Sequence, residues 1–66
     1  MAKRALIVDD HPIVRNALVT SLVSLSIFDE LNTAGSFQEL LDVLEEDTDY
    51  QLLILDLKLL HVLLES

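Results

Sequence analysis

Two short apolar runs, each followed at once by acidic residues, constrain the fold of this chain more than any other feature. Residues 5–8 precede Asp9 and Asp10, and residues 52–55 precede Asp56. A run of four apolar residues, some of them β-branched, is typical of a strand buried on both faces in a parallel sheet. Ligands of open parallel sheets bind beyond the carboxyl ends of the strands. We therefore expect the chemistry of this chain at the three acids.

Carboxylates gathered at one edge of a sheet repel one another unless a cation or a shared proton offsets their charge. Mg²⁺ takes oxygen ligands and needs only a few carboxylates plus water. Asp9, Asp10 and Asp56 are therefore candidate Mg²⁺ ligands. Taken singly, each could instead be an ordinary strand-ending or helix-capping acid. His11 and His61 are interpreted as surface residues and not as ligands or bases.

Between the two runs, the chain alternates helical and extended patterns. Pro12 suits the first turn of a helix, and apolar residues recur at helical spacing as far as residue 25. Residues 29–34 are a candidate second strand, and Ser36 with Glu39 matches the capping box of a second helix. The order strand, helix, strand, helix, strand predicts an α/β fold with a parallel sheet and right-handed crossovers. In such a sheet the three acids lie at the same edge.

Each predicted helix has an expected core face. In the first helix, the residues expected to face the core are Ile13, Val14, Ala17, Leu18, Ser21, Leu22 and Leu25. The residues expected on its outer face are Arg15, Asn16, Thr20 and Ser24. In the second helix, the expected core residues are Phe37, Leu40, Leu41 and Leu44.

Length and charge narrow the class of protein. The chain has 66 residues, which allows one domain, and it has no cysteine for a disulfide or a thiolate zinc site. A formal charge of −8 argues against direct binding to nucleic acid, which needs clustered basic residues. The apolar stretch 52–64 is interrupted by Asp56, Lys58 and His61 and is too short to span a bilayer. We expect a soluble, cytoplasmic protein that does not bind membranes.

Two separated motifs resemble one known family. Residues 6–15, Leu-Ile-Val-Asp-Asp-His-Pro-Ile-Val-Arg, are similar to the opening of a response-regulator receiver domain of the type found in LuxR-type transcriptional regulators. Residues 53–57, Leu-Ile-Leu-Asp-Leu, resemble its phospho-acceptor strand, and the 46-residue separation of Asp10 and Asp56 also suits that family. The match covers about residues 3–59. It implies that residues 1–66 are part of a receiver with a flavodoxin-like fold.

The resemblance also implies a set of roles. Asp56 would take a phosphoryl group from the phosphohistidine of a sensor histidine kinase, as in a two-component phosphorelay. Asp10 would bind Mg²⁺ directly, Asp9 would act mainly through water, and the backbone carbonyl of Lys58 would complete the protein ligands. The chain would then be a signalling module and not an enzyme. A phosphatase or phosphotransferase of the aspartyl-phosphate type is disfavoured, because Lys58 stands where a second acid is expected.

The sequence departs from the family after the acceptor strand. Leu59 is followed by Leu60 and His61 where the family usually has Leu-Pro-Gly, and residues 60–66 form a divergent apolar tail. The sequence is about half a receiver long and lacks the hydroxyl and lysine of the fourth and fifth strands. We therefore expect impaired function in isolation, with strand 52–57 as an exposed edge that favours a homodimer. Two alternatives stay open: the tail packs over the sheet, or the chain is a non-phosphorylating interaction or dimerisation fragment.

Overall fold

A computed structural model of the protein describes residues 3–56 and 58. It contains three strands and two helices in alternating order: β1 (Arg4–Val8), α1 (Pro12–Leu25), β2 (Glu30–Ala34), α2 (Phe37–Glu46) and β3 (Leu52–Leu55). The three strands are parallel and form one sheet in the order β2-β1-β3. The predicted α/β fold is confirmed, including the second strand, whose sequence has weak strand propensity. The predictions about residues 59–66, and about Leu57 at the end of the third strand, lie outside the described residues.

The central strand β1 forms the core of the sheet. All four of its apolar side chains are fully buried, as predicted for a strand covered on both faces. Leu6 and Val8 cluster with Ala34 and with Leu40 of α2 on one face. The alternate side chains of β1 point to the opposite face, and α1 contacts both β1 and β2. The two helices therefore cover opposite faces of the sheet, as right-handed crossovers require when the connections β1–β2 and β2–β3 run in opposite directions across it.

Strand β3 is less buried than its sequence predicts. The expectation that residues 52–55 form a strand buried on both faces is wrong, because Leu53 is 49% exposed. Leu53 lies opposite Leu6 in the parallel register, on the face that α2 covers. However, α2 contacts β2 and packs over β1, so its side chains do not extend fully across the outer strand.

Helix α1 has the predicted bounds but presents a different face to the sheet. Pro12 occupies the first turn, and Leu25 is the last helical residue. Ser26 follows it with a left-handed φ of 57°, and its N–H donates to the Val23 carbonyl, which closes the last turn. The half-buried positions follow the spacing i, i+3, i+4, i+7 and are Arg15, Leu18, Val19 and Leu22. The predicted inward placement of Ile13, Val14, Ala17, Ser21 and Leu25 is wrong, as is the outward placement of Arg15. Apolar residues occur on several sides of this helix, and one sheet face covers only a single stripe.

Helix α2 begins at the predicted capping box with one difference. The Ser36 hydroxyl accepts a hydrogen bond from the Glu39 N–H at 3.1 Å, but the Glu39 carboxylate bonds the Gly35 N–H, not that of Ser36. Leu40 is buried on the sheet side of the helix. Leu41, predicted to face inward, is 44% exposed, and Val43 packs against the core in its place. The covered stripe is thus rotated from the predicted one.

Arg4 holds the amino end of the sheet together. Its guanidinium forms ion pairs with Glu30 of β2 and with Asp47, which follows α2, and it donates to the Asp49 carbonyl at 3.2 Å. The same group lies 4.5 Å from the ring centroid of Tyr50, a cation–π contact. These contacts hold residues 47–50, the segment that leads into β3, against β1. No helix in the described part of the chain is long and apolar enough to cross a membrane.

Candidate metal site

The parallel sheet brings the three predicted acids to one edge. Asp9 directly follows β1 and Asp56 directly follows β3, its neighbour in the sheet. The backbone ladder continues one residue past the strands, because the Asp9 N–H donates to the Ala34 carbonyl at 3.1 Å and the Asp56 N–H donates to the Val8 carbonyl at 3.0 Å. The backbone of both acids is therefore fixed by the sheet.

Four side chains form a cluster at this edge. Asp9, Asp10, His11 and Asp56 each offer one ligand atom, and these atoms all lie within 4.8 Å of one another. Opposite ligands of an octahedral Mg²⁺ stand about 4.2 Å apart, twice the Mg–O distance. The cluster could therefore close around such an ion with a small contraction. The Asp9 side chain is buried, whereas those of Asp10 and Asp56 are partly open to solvent.

The Asp56 carboxylate has one satisfied and one unsatisfied oxygen. Its Oδ1 accepts a hydrogen bond from the Lys58 N–H at 3.4 Å. Its Oδ2 is buried and has no hydrogen-bond partner among the described residues. A buried carboxylate oxygen without a partner carries a desolvation penalty that a cation or a donor removes. This oxygen is also the one nearest His11, at 3.9 Å from its Nδ1, so it belongs to the cluster.

His11 lies within the cluster, which the sequence did not predict. It is the residue that precedes the first turn of α1, its side chain makes no capping hydrogen bond to the helix, and its ring is 58% exposed. Its Nδ1 lies 2.9 Å from Asp10 Oδ1 and 3.1 Å from Asp9 Oδ1, and its backbone N–H donates to Asp9 Oδ1 at 2.8 Å. The available signal was its position two residues after Asp9, from which an aspartate side chain can bond the backbone N–H.

Lys58 and Arg15 each make one backbone-mediated contact with the site: Lys58 through its own N–H, and Arg15 through the carbonyl of Asp9. Lys58 reaches Asp56 by its N–H, and the proposed role of its carbonyl oxygen as a ligand stays a prediction. The Arg15 guanidinium donates to the Asp9 carbonyl at 3.3 Å, although the sequence placed Arg15 on the outer face of α1. Arg15 is thus a second residue of the site that periodicity alone did not identify.

Comparisons of the chain with known protein families, with curated proteins and with solved structures find no match. The structure by itself supports a small α/β fold with a parallel sheet and an acidic cluster at its carboxyl edge.

Proposed function

We propose that this protein is a phospho-accepting module of the receiver type, with Mg²⁺ held by Asp9 and Asp10 and the phosphoryl group accepted on Asp56. The observation that carries the proposal is the buried, unpartnered Oδ2 of Asp56 beside two further carboxylates. Three carboxylates at this spacing suit a hard divalent cation, which prefers oxygen ligands. The resemblance of residues 6–15 and 53–57 to receiver motifs agrees with the same assignment.

In this proposal an oxygen of the Asp56 carboxylate attacks the phosphorus of a phosphohistidine. The P–N bond to the donor imidazole breaks, the P–O bond of an acyl phosphate forms, and the imidazole leaves. A divalent cation, when bound, would supply the charge neutralisation that the phosphoryl oxygens need. Asp9 and Asp10 would hold this cation at the carboxyl edge of the sheet, and the hydrogen bond from the Asp56 N–H to the Val8 carbonyl fixes the backbone of the nucleophile. The partner would be a sensor histidine kinase, and the compartment the cytoplasm.

His11 must move for this reaction. Its imidazole stands among the carboxylates, and the Asp56 oxygen nearest to it is buried. Because the ring is more than half exposed and the residue precedes the first turn of α1, the ring can turn toward solvent without disturbing the core. A phosphoryl donor would approach along the path that the imidazole vacates.

The test is Mg²⁺-dependent binding of beryllofluoride, which mimics the acyl phosphate, followed by native mass spectrometry and NMR. The wild-type protein should bind one beryllofluoride only when Mg²⁺ is present, and Asp56→Asn and Asp10→Asn should abolish this binding. Asp42→Asn, which removes an exposed acid from the far face of α2, is the matched control and should bind normally. Binding that survives Asp56→Asn, or a folded wild type that binds nothing, would rule out the proposed acceptor.

A second candidate function, that of a non-phosphorylating interaction fragment, is favoured by the outer edge of β3. In the described part of the chain, β3 pairs only with β1, and its four residues, Leu52–Leu55, include neither a charge nor a proline. An unprotected apolar edge is a template for another strand. Two copies could pair their β3 strands antiparallel, so that leucine and isoleucine side chains meet across a two-fold axis.

Analytical ultracentrifugation tests this second candidate. The wild type should dimerise, and Leu53→Lys should shift it to a monomer because a charge on an edge strand disfavours pairing. Ile13→Lys, which places the same charge on exposed apolar surface of α1, should leave the dimer intact. A wild-type monomer at all concentrations, or equal effects of the two variants, would exclude β3 pairing. Dimerisation without beryllofluoride binding would favour this function over the first.

A further inference from the structure

Gly35 lies in the turn between β2 and α2, next to the carboxyl edge of the sheet. Its φ is not positive, so the backbone conformation there is open to other residues. There is no room for a side chain, however, because a Cβ at this position would lie 2.7 Å from Nη1 of Arg15. The absence of a side chain at Gly35 therefore matters because the Arg15 guanidinium occupies that space.

The same guanidinium nitrogen contacts the candidate metal site. Arg15 Nη1 donates to the Asp9 carbonyl at 3.3 Å, while the Asp9 N–H donates to the Ala34 carbonyl at 3.1 Å. The backbone of Asp9 is thus held on both sides, by a strand on one side and by a side chain from α1 on the other. A guanidinium is planar and always charged, so it can make this contact in a fixed geometry.

We propose that Arg15, seated in the space left by Gly35, is a positioning residue for Asp9. It acts through the Asp9 backbone and not by touching the ion or the phosphoryl group. Its effect on metal binding rests on the proposed function, whereas its effect on the conformation of Asp9 does not. The guanidinium also places a permanent positive charge one peptide group away from the acidic cluster.

Gly35→Ala is the sharpest probe because the clash falls on the far end of a flexible side chain. The added methyl should displace the guanidinium while leaving the arginine, its charge and the turn in place. Arg15→Met removes the contact entirely, and Arg15→Lys keeps the positive charge but replaces the planar guanidinium with an ammonium group. Ser36→Thr is the matched control, since it adds one methyl group in the same turn and retains a capping hydroxyl.

Mg²⁺ titrations followed by NMR give the functional readout. Residues behind the ligands of a metal site typically change affinity by about 10–100-fold when mutated, and we expect a loss in that range for Arg15→Met. Gly35→Ala and Arg15→Lys should weaken Mg²⁺ binding in the same direction, and Ser36→Thr should not change it. A purely structural role for Arg15 would lower the urea midpoint without changing the dissociation constant of the folded protein, and that result would overturn the proposal.

The metal-free protein gives a readout that does not depend on the proposed function. The carbonyl ¹³C shift of Asp9 and the exchange rate of its amide should change in Gly35→Ala and in both Arg15 variants, and not in Ser36→Thr. If the wild type binds no Mg²⁺ but these signals change as expected, the proposed function fails and the positioning role stands. If Gly35→Ala leaves the Asp9 signals unchanged, the positioning role fails. If Arg15→Met does not fold, the more conservative Arg15→Lys variant provides the same comparison.

Discussion

Replacing Asp56 by asparagine removes one of three carboxylate charges at the carboxyl edge of the sheet and keeps the size of the side chain. The ligand atoms of Asp9, Asp10 and Asp56 lie within 4.8 Å of one another. Two unit charges at that separation repel by about 0.9 kcal/mol in bulk water and about four times more strongly at an effective dielectric constant near 20. Asp56 faces two such charges, and solvent at the partly open site keeps the energy near the lower limit. We therefore expect Asp56→Asn to raise the free energy of unfolding by about 1–2 kcal/mol without Mg²⁺.

Thermal and urea unfolding at low ionic strength measure this gain. For a domain of this size, each kcal/mol moves Tm by about 4–8 °C. The asparagine Oδ1 can still accept the Lys58 N–H, so the contact seen in the wild type is preserved. Adding Mg²⁺ should stabilise the wild type by binding its folded state and have little effect on the variant. The control Asp42→Asn should stay within about 0.5 kcal/mol of the wild type in both conditions.

Salt distinguishes electrostatic relief from any other cause. In 1 M KCl the Debye length falls to about 3 Å, which is shorter than the spacing of the charges, so the gain from Asp56→Asn should largely disappear. A gain that persists at high salt would show that packing, not repulsion, is responsible. A loss of stability at low salt would refute the reasoning, because it would mean that the Asp56 charge is already compensated in the metal-free protein.

Three further predictions concern the rest of the fold. The Asp49 N–H and the Arg4 guanidinium lower the pKa of Asp47, so its charge stabilises the fold above about pH 4 and that stabilisation is lost as the pH falls toward the lowered value. The urea midpoint of the wild type should accordingly exceed that of Asp47→Asn at pH 7, and the difference should shrink as the pH falls below about 4. Leu40→Ala should destabilise the protein by about 2–5 kcal/mol in urea titrations, since Leu40 fills the buried cluster on the α2 face. Ile13→Gln should change stability by less than about 0.5 kcal/mol in the same assay, because Ile13 is 85% exposed, and a large loss would show that this face of α1 is covered.

The order of the elements could be predicted from the sequence because each signal was local. Pro12 marked the start of α1, and Ser36 with Glu39 marked the start of α2. The convergence of Asp9 and Asp56 also followed, since the carboxyl ends of adjacent parallel strands share an edge. These predictions needed only periodicity, capping chemistry and the topology of β-α-β units.

The face of each helix could not be predicted in the same way. Helix α1 has apolar residues on several sides, so periodicity did not determine that Arg15 lies on the sheet side while Ile13 faces solvent. That choice depends on where the turns before and after the helix place it over β1 and β2. The position of the Arg15 guanidinium beside Gly35 depends on the same tertiary arrangement. The sequence alone shows only an isolated glycine there and gives no sign of the arginine beside it.

At the amino end of the sheet, two acidic side chains share one permanent cation. Glu30 and Asp47 both pair with the Arg4 guanidinium, and Tyr50 packs against that cation. These contacts join β1, β2 and the segment before β3. The charges at this end therefore stabilise the fold that carries the site at the other end.

The carboxyl end is arranged in the opposite way. Among the described residues, the His11 imidazole is the only basic side chain within 4 Å of the carboxylates of Asp9, Asp10 and Asp56, and Oδ2 of Asp56 has no hydrogen-bond partner. Like charges at this spacing repel one another, so packing alone gives no reason for the proximity of the three carboxylates. Such a conflict between stability and local charge is typical of a binding or catalytic site, where removing a functional group often stabilises the protein. Neutralising a carboxylate should therefore stabilise the metal-free fold at the carboxyl end and destabilise it at the amino end.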